Sequence, residues 1–286
     1  MGGYLRPTAL AEALVALAAG VAQGRPRVIV AGATDHYPAR VGRVADEEIL
    51  DISGLPGMRE IRWTEVGWRI PAGATWTDLA EAPLPPLFDG FKRAARAVGG
   101  VAVQNRGTVV GNICNASPAA DAMPNLLALD ALVELVSVRG VRRLPVGAFV
   151  TGNRSTLRVP DELVTGVLIP PLGADDEAVS SAFLKLGSRA HLVISSVMVA
   201  AVLRRDARGR ITDARLAVGA CSPVAQRLAL LEAELVGRLA APGLGALVRP
   251  AHLAPLSPID DVRGSAAYRF EAAEVLVRRA LEELVA

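Results

Sequence analysis

Residues 107–135 read Gly-Thr-Val-Val-Gly-Asn-Ile-Cys-Asn-Ala-Ser-Pro-Ala-Ala-Asp-Ala-Met-Pro-Asn-Leu-Leu-Ala-Leu-Asp-Ala-Leu-Val-Glu-Leu, and the rest of the chain is arranged about them. The stretch opens with Thr108, Gly111 and Asn112, small or polar residues that leave main-chain N–H groups accessible. It continues through Asn115, Ser117 and Asp121, while Pro118 and Pro124 restrict the backbone. An apolar stretch at 126–129, read as a short helix over 125–129, and a strand at 133–138 follow. A polar, proline-pinned loop set between apolar segments suggests a cradle for phosphate or ribose. A buried structural loop fits the composition equally well.

Upstream, Thr8 is placed to cap a helix with Leu10, Leu14 and Leu17 on one face, ending near Gly20 or Gly24. A short apolar strand at 27–31 runs directly into Gly32-Ala33-Thr34-Asp35. Backbone amides can meet a pyrophosphate at such a turn, although neither Gly-x-Gly-x-x-Gly nor Gly-x-x-x-x-Gly-Lys is present. Strands are expected at 49–52 and 67–70, and a short helix from Trp76 is stopped by Pro83, Pro85 and Pro86. Residues 88–98 show helical spacing up to Gly99-Gly100. A hairpin of 133–138 and 141–144 turns at Arg139-Gly140, and a strand at 163–169 closes this unit.

Residues 170–176 have linker composition. Beyond them come strands at 195–204 and 211–218, then helices at 225–236 and 266–285. Strands followed by helices in that order indicate an α+β domain.

With 286 residues, two or three packed units fit. A net charge of +2, with no basic block interleaved with aromatics, argues against nucleic acid. A mean hydropathy of +0.35 is accounted for by a partner covering part of the surface or by alanine richness. Lys92 and Lys185 are the only lysines. Cys114 and Cys221 are the only cysteines, too few to hold an iron–sulfur cluster with four thiolate ligands. Cys114 reads as a small buried packing residue. His36, His191 and His252 lack metal-ligand spacing, and no Gly-x-Ser-x-Gly surrounds Ser195 or Ser196. No run approaches the roughly 20 apolar residues of a spanning helix, and the opening residues lack the pattern of a signal peptide. A cytoplasmic protein is expected.

Taken together, these stretches resemble the FAD-binding subunit of the molybdenum hydroxylases, the family of xanthine dehydrogenase and carbon monoxide dehydrogenase. Ala31-Gly32-Ala33-Thr34-Asp35 stands where the family usually reads Ala-Gly-Gly-Thr-Asp. Thr108-Val109-Val110-Gly111-Asn112 and the tail from Asn115 to Asp121 stand where it reads Thr-x-Gly-Gly-Asn with the same tail. Phe183-Leu-Lys185-Leu-Gly-Ser-Arg189, Ala214 to Gly219, Pro223-Val-Ala-Gln-Arg227 and Asp261-Val-Arg-Gly-Ser-Ala-Ala-Tyr-Arg269 match its C-terminal domain.

The resemblance implies an α+β protein. Its first part would be a two-subdomain, PCMH-type (vanillyl-alcohol-oxidase-like) FAD-binding domain, with a βαβ subdomain at 1–55 and an α+β subdomain at 56–172. A small domain like that of the CO dehydrogenase flavoprotein would follow at 177–286, with an antiparallel sheet and helices. FAD would lie between the first two units, held by Ala31, Gly32, Ala33, Thr34, Asp35, Thr108, Val109, Val110, Gly111, Asn112 and Asp121. Val98 and Val164 match apolar contacts to adenine or flavin, and Lys185 a lysine beside the flavin ring. No catalytic residue for substrate is implied on this chain. A large molybdenum-cofactor subunit and a small subunit with 2Fe–2S clusters would be its partners, in a dimer of heterotrimers, with electrons passed to NAD⁺ or another acceptor. Ala33 and Val110 depart from the family glycines, and a Cβ there would clash if the backbone needed positive φ or very close phosphate approach. A free-standing FAD oxidoreductase and a flavin-free scaffold subunit are the rival readings.

Overall fold

The computed structural model describes residues 2–42, 46–172 and 178–286. The chain starts with β1 (Tyr4–Leu5), α1 (Leu10–Ala22), β2 (Val28–Val30) and β3 (Ile49–Asp51). Central β3 pairs in parallel with both β1 and β2. Helix α1 is the crossover that parallel strands require, and it buries Ala13, Leu14 and Leu17. Its entry differs from the sequence expectation. Ala9 is the N-cap and makes no side-chain bond. Thr8 instead donates its main-chain N–H to the Glu12 carboxylate at 3.2 Å, so a first-turn acid satisfies the helix start.

The middle of the chain forms β4 (Arg62–Thr64), β5 (Gly67–Pro71), α2 (Trp76–Glu81), α3 (Asp89–Ala97), α4 (Val101–Gln104), α5 (Val109–Asn115) and α6 (Ala122–Ala128). It continues with β6 (Leu132–Ser137), β7 (Gly140–Pro145), α7 (Val146–Phe149), β8 (Val150–Gly152), β9 (Ser155–Thr156) and β10 (Leu163–Ile169). Five of these strands make an antiparallel sheet ordered β4-β5-β10-β6-β7. Every residue of β10 is buried, as expected of a central strand covered on both faces. Thr75 and Asp78 close a reciprocal capping box on α2, and Lys92 donates to the carbonyl of Ala82 at that helix's end (2.8 Å). One of the two lysines therefore has a structural role.

On this sheet Glu134 accepts from Thr165 (2.8 Å), Arg69 (3.0 Å) and Arg143 (3.0 Å). Burial opposes its charge, but these three donors outweigh it and hold the carboxyl below the ordinary 4.5. Its contribution is therefore present above pH 4.5 and is lost as pH falls through the lowered folded-state value. Acid unfolding followed by circular dichroism is expected to begin at a higher pH in Glu134→Gln than in the wild type, with the difference vanishing in strong acid.

The expected linker at 170–176 falls largely on 173–177, outside the described residues. The chain then forms β11 (Ala178–Leu186), β12 (Val197–Arg205), β13 (Ile211–Gly219), β14 (Gln226–Arg227), α8 (Ala229–Leu235) and α9 (Ala266–Val285). The four strands form an antiparallel sheet in sequence order. Strand β12 explains how this sheet is seated. Val197, Val199, Ala201 and Leu203 face a core shared with α8 and α9, while Met198, Ala200 and Val202 face the core of the preceding sheet and helices. An uninterrupted apolar run thus reports burial on both faces. Two expectations are corrected. The helix read at 225–236 begins only at Ala229, because Gln226 and Arg227 pair with β13. Strand β12 begins at Val197, not Ser195.

Two arginines of the C-terminal motifs bind the parts together. Arg227 donates to the Leu127 carbonyl (3.0 Å) and Asp130 (2.8 Å) across the sheet–helix junction. Arg269, buried on α9, donates to the carbonyls of Ser196 and Ala220 (both 3.1 Å) and to Asp261 (2.5 Å).

Candidate functional site

The two glycine-bearing stretches meet. Strand β2 delivers residues 31–35 to the edge of the parallel sheet, and residues 106–109 run alongside. A Cβ built on Gly32 would stand 1.8 Å from the Arg106 carbonyl oxygen, and one on Gly107 would stand 3.2 Å from the Thr34 hydroxyl. At Gly32 only glycine allows so close a backbone approach, while at Gly107 the Thr34 side chain would have to give by a few tenths of an ångström. The second loop is stitched to the start of α2 by Trp76 N–H to Gly107 carbonyl (3.1 Å) and Val109 N–H to Ala74 carbonyl (3.0 Å).

The stretch read as a loop after Thr108 is in fact a helix, α5. Thr108 is its N-cap, accepting from the Gly111 N–H at 3.0 Å, while Val109 and Val110 turn into the core. Short helices with one strong cap and few apolar residues carry little periodic signal, so the sequence pattern concealed it. Cys114, expected to be buried, lies exposed on this helix.

The two departures from glycine have different consequences. Ala33 adopts φ 54°, the left-handed conformation that disfavours a Cβ. Val110 has ordinary helical backbone and its side chain is buried. Ala33→Gly is therefore expected to stabilise the fold by about 0.5–1 kcal/mol through relief of that strain. Val110→Gly is expected to destabilise it by roughly 3 kcal/mol, combining a cavity with the helix cost of glycine. Thermal denaturation of both variants checks the pair of opposite signs.

From α5 the site continues inward. The Asn112 side-chain oxygen accepts from the Ala122 N–H at 3.0 Å, which fixes the segment carrying Asp121. Asp121 is buried and paired with Lys185 of β11 at 2.8 Å, and Lys185 also donates to the Ala97 carbonyl beside Val98 at 3.3 Å. This ion pair joins the first part of the chain to the C-terminal sheet. Burial raises the Asp121 carboxyl above its ordinary value, and Lys185 only partly reverses that. The Ser195 hydroxyl is buried with no well-formed hydrogen bond, yet stands close enough to favour the carboxylate.

The geometry thus brings Gly32 and Thr34 of the stretch 31–35 against residues 106–107, which lead through Thr108 into α5, and Asn112 of α5 ties in the segment of Asp121, with Lys185 and Ala97 beside Val98. Val109 and Val110 contribute packing through their side chains. Val164 sits within β10, paired with Leu135, and shares the core without joining either loop. Sequence reading missed Ser195 as a neighbour of Asp121. It also missed Arg154, between β8 and β9, which donates to Asp35 (2.7 Å) and to Asn115. Gly152-Asn153 marks a turn there, but nothing local names partners so far away in the chain.

These residues suit an extended dinucleotide. Among the described residues, the main-chain N–H groups of Ala33, Thr34 and Asp35 donate to no protein acceptor, and Ala33 is left-handed, a conformation from which anion-binding concavities are built. The Ser195 hydroxyl, buried beside Asp121 without a well-formed hydrogen bond, supplies a polar atom further along.

The family described as FAD binding domain in molybdopterin dehydrogenase matches residues 1–172, and the CO dehydrogenase flavoprotein C-terminal domain matches residues 182–284. The chain belongs to the FAD-binding subunits of the molybdenum hydroxylases. Within this family it is 30% identical to a putative xanthine dehydrogenase FAD-binding subunit of Escherichia coli (strain K12), over 99% of this chain and 96% of that one. It is 29% identical to the nicotine 6-hydroxylase medium subunit of Paenarthrobacter nicotinovorans, over 89% and 88% of the two chains. The fold superposes on carbon monoxide dehydrogenase from Hydrogenophaga pseudoflava with a TM-score of 0.86 at 26% identity, covering 99% of this chain and 96% of that one. A molybdenum-hydroxylase flavoprotein subunit is an oxidoreductase component that binds FAD. Among the described residues no helix is long and apolar enough to cross a membrane.

Proposed function

We propose that this chain relays electrons within a heteromeric molybdenum hydroxylase, from iron–sulfur clusters of a small subunit to NAD⁺ or another acceptor. A separate large subunit would carry the molybdenum cofactor and hydroxylate the substrate, and the assembly would be a dimer of heterotrimers. The observation that carries this reading is the meeting of residues 31–35, with their unpaired main-chain donors, and residues 106–107 at the entry to α5. Bound FAD can exchange electrons singly with a cluster and in pairs with a nicotinamide.

The chain's own residues bind and orient the cofactor. On this reading the amides of residues 33–35, with the Thr34 hydroxyl, hold the diphosphate without a full counter-charge. Thr108, Val109, Val110, Gly111 and Asn112 hold the chain end of α5 against it. Asp121 accepts from a ribose or ribityl hydroxyl and Val98 supplies apolar contact, while Val164, buried within β10, backs the site from the core. Lys185 uses two donors on Asp121 and Ala97, leaving its third for the flavin ring, where a cation favours negative charge. The cofactor would lie between units 1–55 and 56–172, with 177–286 closing over the ring edge. Having only two cysteines, the chain needs a partner for any four-thiolate cluster.

A visible absorption spectrum of the chain purified with its bound partners tests this. Flavin bands near one FAD per chain, with broad iron–sulfur absorption, are expected. Flavin without clusters would instead favour a free-standing flavoprotein, and a colourless chain that takes up no added FAD would favour a scaffold.

A further inference from the structure

We infer that Arg154 is a positioning residue for the cofactor, a latch that holds the two FAD loops in one arrangement. The inference rests on the site reading above. Arg154 stands at the tip of the β8–β9 hairpin, far in sequence from both loops. Its Nη1 donates to the Asp35 carboxylate at 2.7 Å, and the same nitrogen donates to the Asn115 side-chain oxygen; Nη2 reaches the other Asp35 oxygen at 3.4 Å. One guanidinium thus grips the first loop through Asp35 and the end of α5 through Asn115.

The grip is anchored. The Arg154 main-chain N–H donates to the Ala116 carbonyl at 2.8 Å, so the hairpin tip is fastened to the C-terminus of α5 independently of its side chain. Ala116 closes that helix at φ 50°, and Arg154 itself has φ 57°. Two non-glycine residues held in left-handed backbone at one junction indicate a contact the surrounding structure enforces.

Exposure argues that the latch serves geometry and not fold stability. The Arg154 and Asp35 side chains are 55% and 51% exposed, and an exposed ion pair contributes little to folding. Asp35 follows directly on the unpaired amides of residues 33 and 34. Holding its carboxylate fixes those amides relative to α5, where a planar two-pronged donor does better than a point charge. Without the latch, loop 31–35 would have to be ordered when the cofactor binds, and affinity would fall accordingly.

The test is FAD affinity of the full apo chain, read by quenching of flavin fluorescence, in Arg154→Met, Asp35→Asn and the double variant. Each single change is expected to weaken FAD binding roughly three- to tenfold, with the double variant no weaker than the poorer single one, as for two ends of one interaction. Arg154→Lys should recover part of the loss, and the melting temperature of the apo chain should hardly move. Wild-type affinity in Arg154→Met, with affinity lost in Thr108→Ala, overturns the latch alone. Wild-type affinity in both overturns the site reading beneath it. Additive losses in the double variant also overturn the latch, since Arg154 and Asp35 would then act separately. A large fall in apo melting temperature that alone accounts for the lost flavin assigns Arg154 to the fold instead.

Discussion

Asp121→Ala is expected to destabilise the protein by about 3–5 kcal/mol at neutral pH, because it leaves the Lys185 ammonium buried without its counter-charge. The two side chains are 12% and 11% exposed and lie 2.8 Å apart. Among the residues that the family resemblance implies hold FAD, Asp121 is given no part in the fold. The tertiary structure makes it half of an ion pair between the first part of the chain and the C-terminal sheet, and the single variant therefore cannot report on flavin binding by itself.

The double variant Asp121→Leu/Lys185→Met separates the two roles. Burial raises the Asp121 carboxyl despite Lys185 and Ser195, which means the pair does not fully offset its own desolvation. Replacing both ends with apolar groups should then restore most of the lost stability. The sign with pH agrees. A raised carboxyl favours the folded state most below the ordinary 3.8, and that advantage shrinks as pH rises through the folded-state value, opposite to Glu134. If the double variant is stable but binds FAD poorly, Asp121 and Lys185 are cofactor residues. Wild-type affinity would make the pair purely structural.

Arg269→Ala is expected to cost a similar amount, about 3–5 kcal/mol, measured by urea denaturation. Its side chain is 4% exposed and serves three acceptors at once. Removing it takes the charged donor from the carbonyls of Ser196 and Ala220 and leaves Asp261 to Arg263 alone, cutting its tie to α9. Ala220 already sits at φ 64°, a conformation this contact helps to hold. Arg269→Lys should lose most of the same stability, since one ammonium cannot span the three positions. A loss below about 1 kcal/mol would show that the C-terminal motif is not held together by this arginine. Ser196 neighbours Ser195, so partial unfolding here would also loosen the surroundings of Asp121 and Lys185.

Much of the architecture was determined by the sequence itself. The apolar run at 28–30, the alternation along β6, the all-buried β10 and the long apolar face of α9 each follow from residue periodicity, which depends only on near neighbours. The close approach of Gly32 to the Arg106–Gly107 backbone, by contrast, joins stretches far apart in the chain, and only the tertiary structure shows why glycine is required there. What depended on distant partners was not legible. Helix α5 exists because Thr108 caps it and Val109, Val110 and Ile113 find a core to enter. Gln226 and Arg227 become a strand because β13 offers them an edge. Asp121 is an ion-pair partner only where β11 brings Lys185 beside it, and Arg154 can join Asp35 to Asn115 only after a hairpin has folded back over α5. Local pattern sets which segments can form. Which charges become buried, and which loops are tied together, is decided by contacts between residues far apart in the chain, whose free energy exists only once the whole fold has assembled.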